Sequence, residues 1–221
     1  MPLTISRRRP APSVHVPYKL LSLLLQYPDA RLLGARAELL AAMRDLPAAA
    51  AKDALARFCA YWADAAPATL AQDYVETFDL QKRTGLYLSY YLYGDTRRRG
   101  MELLRLKQLY RAAGLVLEPG ELPDYLPVML EFAALAPPGC GEAVLGEYRA
   151  ALALLQVSLR EMESPYLHLL DALCAGLPAL TWPEQERLRR LIAEGPPREE
   201  VGLEPFAPPE VMPRGGGEVR R

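Results

Sequence analysis

The sequence predicts an all-α fold, a single-domain bundle of about nine to ten helices. Hydrophobic residues make up 51% of the chain, and Leu and Ala supply most of them while Val and Ile are scarce, which favours helices over strands. In several stretches apolar residues recur every three or four positions, and Pro, Gly or capping residues separate these stretches. A chain of 221 residues is long enough to bury one substantial core.

The periodic stretches predict helices in a definite order. They cover residues 17–27, 30–45, 48–65, 69–79, 96–113, 123–136, 145–162, 165–177 and 181–193, with a short aromatic segment at 86–93. Thr69 with Gln72 and Thr181 with Glu184 have the spacing of capping boxes, which predicts a helix start at each threonine. The sharpest periodicity, from Leu145 to Met162, predicts one long central core helix. No internal repeat and no alternating strand pattern is visible.

Both ends of the chain differ in composition from this helical part. Residues 1–15 are rich in Arg and Pro and predict a mobile arm. Residues 195–221 are dominated by Pro, Gly and charge and predict a disordered or loosely attached tail. The predicted helical domain therefore covers residues 16–194.

Charge and cysteine content narrow the class of protein. The net charge of −1 and the pI of about 6.2 argue against the broad basic field that non-specific nucleic-acid binding needs. Three cysteines without a CxxC pair suit a reducing compartment. The run Ser6-Arg7-Arg8-Arg9 resembles the start of a twin-arginine export signal, but prolines follow where an apolar stretch should begin. We therefore expect a cytoplasmic protein that does not insert into the membrane.

The usual signatures of catalysis are missing. The sequence has neither a GxGxxG motif after a strand nor a GxxxxGK[ST] loop, and its two histidines, His15 and His168, form no HExxH or ExxH ligand pair. We expect that the chain is not an enzyme and that it holds no metal and no stably bound cofactor.

The first unusual stretch runs from Tyr74 to Gly100. It concentrates six aromatic residues, two aspartates and the run Arg97-Arg98-Arg99. Tyrosine combines a large apolar face with a polar tip, which suits protein interfaces and grooves that receive a helical peptide. The alternative is a tyrosine-rich core with a solvated basic turn, and spacing alone does not decide between them.

The second stretch is Glu121-Leu-Pro-Asp-Tyr-Leu-Pro127, followed by Glu131. Its two prolines frame an acidic and aromatic turn at a predicted helix start. The alternative to a binding role is an ordinary helix entry, in which Asp124 is favoured by the helix dipole.

Three motifs in these stretches resemble those of the nitrate reductase molybdenum cofactor assembly chaperones, the NarJ type within the TorD-like redox enzyme maturation chaperones. The motifs are Tyr74-Val-Glu-Thr-Phe78-Asp79, then Tyr93-Gly94-Asp95 with Arg98-Arg99-Gly100-Met101, then Glu121 to Pro127 with Leu130-Glu131-Phe132. The resemblance covers residues 17–193, and the ordered series is more specific than any one motif.

This resemblance implies an all-helical fold and a chaperone function. Such proteins bind the apo form of the catalytic (alpha) subunit of nitrate reductase, including its amino-terminal segment. They hold it competent for molybdenum cofactor insertion and membrane docking, with at most a transient contact to the molybdenum cofactor. Nucleic acid is not an expected partner.

The resemblance also implies a set of client-binding residues. They are Tyr74, Phe78, Asp79, Gly94, Asp95, Arg98, Gly100, Leu122, Pro123, Asp124, Leu126, Pro127 and Glu131. We interpret the aromatic and Leu side chains as an apolar floor, and Asp79, Asp124 and Glu131 as facing basic groups on the client. Gly94 and Gly100 would let neighbouring backbones approach closely. Alternatively, Arg97, Arg98 and Arg99 would steer the pyrophosphate of the pterin cofactor.

Three other functions compete with this prediction. The client could be another molybdoenzyme, such as a dimethyl sulfoxide or formate enzyme, which a pull-down would reveal. The chain could be an enzyme of the molybdopterin pathway, which turnover of the cofactor would support. A helical DNA-binding regulator is disfavoured by the near-neutral charge, and steeply salt-dependent DNA affinity would revive it.

Overall fold

The computed structural model describes residues 5–7, 16–46 and 51–197, and the regular structure in these ranges is almost entirely helical. The predicted all-α fold is confirmed, with twelve α-helices in the described residues rather than nine to ten. The helices are α1 (Val16–Leu24), α2 (Ala30–Gly34), α3 (Arg36–Arg44), α4 (Lys52–Asp64), α5 (Pro67–Tyr74), α6 (Leu88–Tyr93), α7 (Arg97–Ala112), α8 (Leu126–Leu135), α9 (Cys140–Glu147), α10 (Arg149–Glu161), α11 (Leu167–Ala175) and α12 (Trp182–Glu194). None of these described helices is long and apolar enough to cross a bilayer.

Helix α8 lies at the centre of the core. Its sequence is apolar around nearly the whole circumference, and every residue from Leu126 to Ala134 is buried, as is typical of a helix covered on all sides. It packs against α1 and α9. Helix α9 approaches closely because Gly141 has no side chain, since a Cβ there would lie 2.4 Å from the Cα of Ala133. Helix α10 packs against α6, α11 and α12.

Two of the predicted helices are each divided by one residue. The predicted helix 30–45 is interrupted at Ala35 (φ −88°, ψ 8°), and the predicted long helix 145–162 is interrupted at Tyr148 (φ −100°, ψ 14°). The prediction of one long core helix is therefore wrong. Tyr148 is only 1% exposed, so its side chain stays on the apolar stripe and the periodicity carries no sign of the break.

One predicted capping box is confirmed and the other is wrong. Thr181 caps α12, where its amide donates to Glu184 Oε2 at 2.6 Å. Helix α5 begins at Pro67 after the N-cap Ala66, so Thr69 lies within its first turn. Proline has no amide hydrogen to leave unsatisfied and its fixed φ suits the first helical position, which explains the earlier start.

The described residues also contain two short strands that the sequence did not predict. Strand β1 (Ile5–Arg7) pairs antiparallel with β2 (Leu115–Leu117), with Ile5 opposite Leu117. Three residues per strand are too few to show an alternating pattern. The strand β1 lies within the predicted amino-terminal arm. The other residues of that arm and residues 198–221 of the predicted tail lie outside the described residues, so the domain boundaries stay a prediction.

Candidate functional site

The two stretches singled out in the sequence meet in the structure. Tyr87 and Tyr125 form an isolated antiparallel bridge. The amide of Leu88 donates to the carbonyl of Asp124 at 3.0 Å, and the amide of Leu126 donates to the carbonyl of Leu86 at 2.8 Å. The rings of the two tyrosines are tilted against each other with their centroids 5.2 Å apart. Residues 74–100 and 121–131 therefore form one continuous region.

A cluster of buried aromatic rings underlies this junction. The ring centroids of Tyr74 and Phe78 are 4.9 Å apart, and both rings contact Tyr166 at the start of α11. The Tyr74 hydroxyl donates to the carbonyl of Leu25 at 3.2 Å and lies 3.2 Å from the Tyr125 hydroxyl. Burial raises the pKa of the Tyr74 and Tyr166 phenols above the usual value. Tyr74 and Phe78 thus belong to a tyrosine-rich core, the alternative that the sequence left open.

A π-helical turn, Val75–Asp79, brings the chain from this core to the surface. It continues α5, and the Leu80 amide donates to the Val75 carbonyl at 3.0 Å. Phe78 is buried, whereas Asp79 is exposed and Leu80 is 68% exposed. The turn therefore places a carboxylate and an apolar side chain side by side in solvent.

Four large side chains lie uncovered or partly covered around the junction. Tyr27 is 47% exposed and Tyr87 is 39% exposed, while Tyr125 is half-buried. The Tyr27 ring meets the Tyr74 ring edge-on at 5.6 Å, which connects it to the aromatic cluster. We use the name tyrosine surface for the group Tyr27, Leu80, Tyr87 and Tyr125 together with the carboxylates of Asp79 and Glu121.

The edge of the tyrosine surface is negatively charged. Burial raises the pKa of the Tyr87 phenol, and the charges of Glu121 and Asp124 raise it further, against the opposing charge of Arg99. Burial likewise raises the pKa of Tyr125 to about 12, and Glu121 and Asp79 contribute to the increase. A ligand with an apolar face and positive charges at its side matches this arrangement.

Asp124 is fully buried between the two stretches. Its Oδ2 accepts a hydrogen bond from Ser89 Oγ at 2.5 Å and lies 3.5 Å from the guanidinium of Arg99, while Oδ1 has no hydrogen-bond partner among the described residues. Arg99 also lies over the ring of Tyr90, 5.7 Å from its centroid. In this structure Asp124 faces a basic group of its own chain, at the start of α7.

Glu131 is also engaged within the chain. Its side chain is 2% exposed and forms an ion pair with Lys19 of α1. Next to it, the hydroxyl of Ser22 donates to the carbonyl of Pro127 at 2.8 Å. Of the three carboxylates expected to face a client, Asp79 is therefore the exposed one, and the role of the other two towards a client stays a prediction.

The remaining predicted site residues fall into two groups. Pro123, Leu126 and Pro127 are buried and Leu122 is half-buried, so they support the region from below. The hydroxyl of Tyr110 donates to the carbonyl of Pro123 at 2.7 Å, which fixes this turn on α7. The exposed group consists of Asp95, Arg98 and Gly100.

The two glycines of the motifs have different surroundings. Gly94 has a φ of +60°, and a Cβ there would lie 1.6 Å from the carbonyl oxygen of Pro197. The close backbone approach predicted for Gly94 is confirmed. At Gly100 a Cβ would meet no atom of the described residues within 4 Å, so no close approach is found there within this part of the chain.

A small cavity adjoins the tyrosine surface. Its volume is about 150 Å³, and Lys82, Gly85, Tyr87, Tyr90, Tyr91 and Arg99 line it. A cavity of about this size can hold a benzene ring, whereas sites for drug-sized ligands start at about 300 Å³. It therefore has room for one side chain of a ligand rather than for a whole cofactor.

The basic run does not converge on one point. Arg99 reaches towards Asp124, whereas Arg98 lines a separate groove beside α12. Within the described residues, no three His, Cys, Asp or Glu side chains are grouped so that they could hold a metal ion. Arg98 and Arg99 therefore do not surround one common phosphate site.

Sequence reasoning missed several residues of this region. Tyr27, Leu80, Tyr87, Glu121 and Tyr125 were not assigned to the site. Glu121 and Tyr125 stand inside the second motif, so motif membership was a usable signal for them. For Tyr27, 47 residues before Tyr74 in the chain, nothing in the sequence indicates the contact.

The chain is similar to several named proteins, and it covers very different shares of their lengths. The chain is 46% identical over 153 residues to the nitrate reductase-like protein NarX of Mycobacterium tuberculosis, which is 69% of this chain and 23% of that protein. It is 36% identical over 162 residues to the probable nitrate reductase molybdenum cofactor assembly chaperone NarJ of Bacillus subtilis, which is 73% of this chain and 88% of that protein. To NarJ of Escherichia coli K12 it is 36% identical over 157 residues, 70% of this chain and 66% of that protein.

A family model also matches this chain. The model of the nitrate reductase delta subunit matches residues 43–172, more than half of the chain, and this range contains both motif-bearing stretches. The resemblance to NarJ-type proteins found in the sequence is confirmed, and the named NarJ relatives are assembly chaperones rather than catalysts, as predicted for this chain. The chain belongs to the nitrate reductase delta subunit family.

Proposed function

We propose that this chain is a cytoplasmic chaperone for the assembly of nitrate reductase. It binds the apo form of the catalytic subunit, including the amino-terminal segment, and keeps it competent for insertion of the molybdenum cofactor. Relatives from Bacillus subtilis and Escherichia coli are named as molybdenum cofactor assembly chaperones of nitrate reductase, which supports the proposal.

The observation that carries the proposal is the tyrosine surface. Tyrosine rings and Leu80 offer apolar contact area next to the exposed carboxylate of Asp79. An amphipathic helix would lay its apolar face on the rings, and its basic residues would lie beside Asp79 and Glu121. The cavity beside Tyr87 would receive one anchoring side chain of that helix.

The predicted client-binding residues take different parts in this proposal. Asp79 touches the client directly, and Asp95 and Gly100, which are exposed, belong to the outer part of the contact area. Arg98 lies further away, in the groove beside α12. Tyr74, Phe78, Leu126 and the prolines act from beneath by fixing the rings above them. Asp124 and Glu131 hold the two stretches in place through Arg99 and Lys19.

The direct test is peptide binding. A synthetic peptide that copies the amino terminus of the nitrate reductase catalytic subunit should bind with a Kd in the micromolar range, measured by calorimetry. Leu80→Ala and Tyr87→Ala should each weaken binding about tenfold, since each removes apolar contact from the centre of the surface. Asp79→Asn should weaken it less, and that effect should decrease as salt is added.

Leu104→Ala is the matched control for Leu80→Ala. Leu104 is also an exposed leucine, at 54%, but it lies on α7 outside the tyrosine surface. If Leu104→Ala weakened binding as much as Leu80→Ala, the tyrosine surface would not be the binding site. If the peptide did not bind while the apo subunit of another molybdoenzyme co-purified with the chain, the proposed client would be wrong.

Contact with the molybdenum cofactor is proposed to be transient. The cofactor is cargo for the client, and the basic side chains Arg98 and Arg99 lie in separate grooves rather than around one phosphate site. Cofactor delivery is therefore proposed to act through the shape of the bound client, with no cofactor-binding residue assigned to this chain.

A further inference from the structure

A second groove lies between the end of α6 and the last turns of α12. Its volume is about 450 Å³, and its charged lining consists of Arg98, Arg187, Arg190 and Glu194. All four side chains are exposed. Within residues 5–7, 16–46 and 51–197, none of the three arginines forms an ion pair. Three guanidinium groups thus face a single carboxylate, which leaves the groove positively charged.

The residues that follow α12 lie in this groove. After α12, Gly195, Pro196 and Pro197 run along the groove and form part of its lining. They cross the end of α6 at Gly94, where a Cβ would lie 1.6 Å from the Pro197 carbonyl oxygen. The missing side chain at Gly94 therefore provides the space for this crossing. Pro197 is the last residue described, and it stands beside the arginines.

The residues that follow have the complementary charge. Glu199 and Glu200 come directly after Arg198, and Glu204 lies within the same short segment. An extended chain spans at most about 3.3 Å per residue, so the Cα atoms of both glutamates can be no more than about 10 Å from that of Pro197. Carboxylates and guanidinium groups form strong paired hydrogen bonds, which makes an acidic segment the natural occupant of an arginine-lined groove. The apolar Val201, Leu203 and Phe206 could cover the exposed Ile192 beside it.

We propose that the segment 199–206 of the same chain docks in this groove. Glu199 and Glu200 pair there with Arg98, Arg187 and Arg190, and the segment straps the end of α12 to α6. Helix α12 needs such a strap because only one of its side chains, Leu191, is buried. A helix held by so little buried surface opens locally at low cost, so an added contact has a measurable effect. The proposal does not depend on the identity of a client.

Hydrogen–deuterium exchange of the full chain tests the strap. In the double variant Glu199→Arg with Glu200→Arg, amides of residues 187–194 should exchange about three- to tenfold faster, because two exposed ion pairs are lost. The variant Glu210→Arg with Glu218→Arg is the matched control, since it makes the same charge change outside the segment and should exchange like the unchanged chain. The difference should shrink between about 0.05 and 0.5 M salt.

A charge swap distinguishes the loss of the proposed ion pairs from a direct effect of the substitutions on the stability of α12. Arg187→Glu with Arg190→Glu should also accelerate exchange, partly because acidic residues near the end of a helix oppose its dipole. Adding Glu199→Arg and Glu200→Arg to that variant should restore much of the protection if the pairs form. Equal exchange in the two tail variants, or no restoration by the swap, would overturn the proposal. Protection that rose with protein concentration would also overturn it, because the segment would then dock on a second copy.

Discussion

Asp124 connects the two motif-bearing stretches through contacts within the chain. Its Oδ2 accepts a hydrogen bond from the Ser89 hydroxyl and lies 3.5 Å from the guanidinium of Arg99, whose side chain is only 19% exposed. A buried carboxylate is stable in such a place because a donor and a positive charge offset part of its lost hydration. At the residue scale, the polar groups under the tyrosine surface thus fix its geometry.

Replacing Asp124 with Ala should destabilise the fold. The change leaves Ser89 and Arg99 without their acceptor in a largely buried place, and we expect a loss of about 2–4 kcal/mol in the free energy of unfolding. Urea denaturation followed by circular dichroism measures it. Asp95→Ala is the control, because Asp95 is exposed and its loss should change stability by no more than about 0.5 kcal/mol. Similar losses in both variants would contradict the structural role of Asp124.

Two glycines should respond to alanine in opposite directions. Gly94→Ala should cost about 1–3 kcal/mol, because Gly94 has a φ of +60° and a ψ of −157°, which L-residues rarely adopt. Gly100→Ala should stabilise the fold by about 0.5–1 kcal/mol, because Gly100 lies in α7 with open space around it. Thermal or urea unfolding of both variants compares the two signs. A stabilising Gly94→Ala change would show that the backbone there is not held in this conformation.

The sequence predicted where the functional region lies, but not which of its side chains are buried. Motif order placed Tyr74, Asp124 and Glu131 in one functional region. Their burial could not be predicted, because tyrosine is equally suited to a core and to an interface. Buried carboxylates such as Asp124 and Glu131 are recognisable only through their partners, and Lys19 is 112 residues away from Glu131 in the chain.

At the scale of elements, a polar network holds the break between α9 and α10. Arg105 of α7 donates to Glu102 at 2.7 Å and pairs with Glu147, the last residue of α9. The hydroxyl of Tyr148, the residue of the break, donates to the same Glu102. Side chains of α7 thereby hold Tyr148 and Glu147 in place where α9 ends and α10 begins.

This network should make stability depend on pH. The bonds from Arg105 hold the pKa of Glu102 below its usual value in the folded chain. A lowered pKa adds stability that is present above the unfolded pKa and is lost as the pH falls through the folded one. Glu102→Gln should therefore reduce the free energy of unfolding at neutral pH, and the difference from the unchanged chain should shrink below about pH 4.

Urea unfolding at several pH values tests this expectation. The control is Glu186→Gln, since Glu186 also pairs with an arginine three residues later but is 41% exposed. Exposed pairs contribute little, so its effect should be small at every pH. A Glu102→Gln difference that stayed constant with pH would show that the charge of Glu102 is not involved.

Helix positions were predictable wherever a turn residue or a periodic stripe marked them. Thr181 and Gly195 bound α12 as the capping signals indicate. The break at Tyr148 and the π-helical turn Val75–Asp79 were not predictable, since neither contains Gly or Pro and the aromatic rings of Tyr148 and Phe78 stay buried. Local backbone geometry of this kind is decided by packing against other helices rather than by the local sequence.

For the whole molecule, buried phenols predict a limit to stability at high pH. Burial raises the pKa of Tyr74, Tyr110 and Tyr166 above the value in an unfolded chain. A raised pKa adds stability below the unfolded pKa, and this stability is lost as the pH rises further. We expect the free energy of unfolding to fall above about pH 10.

The measurement is a joint titration of absorbance and circular dichroism. After a gradual rise from exposed tyrosines such as Tyr27, the remaining tyrosinate absorbance should rise in one cooperative step together with the loss of helix signal. The buried phenols ionise only when the core opens. If most of the tyrosinate formed gradually while the helix signal stayed intact, the phenols would be more accessible than this packing allows.

The overall class was predictable because it rests on composition and period, which average over many residues. Abundant Leu and Ala with repeated three- and four-residue spacing leave little alternative to helices. The arrangement of the other eleven described helices relative to α8 was not predictable, since it depends on contacts such as that of Gly141 with Ala133, which only the folded chain brings together.

The bridge between Tyr87 and Tyr125 joins two chain segments side by side at the surface. Two main-chain hydrogen bonds hold residues 86–88 and 124–126 together, so these parts of the tyrosine surface cannot separate without breaking both bonds. When a peptide binds, most of the conformational entropy would then be lost by the peptide and little by this protein. Preference among peptides should accordingly depend on how readily each one forms a helix, and not on how far this protein can change its conformation.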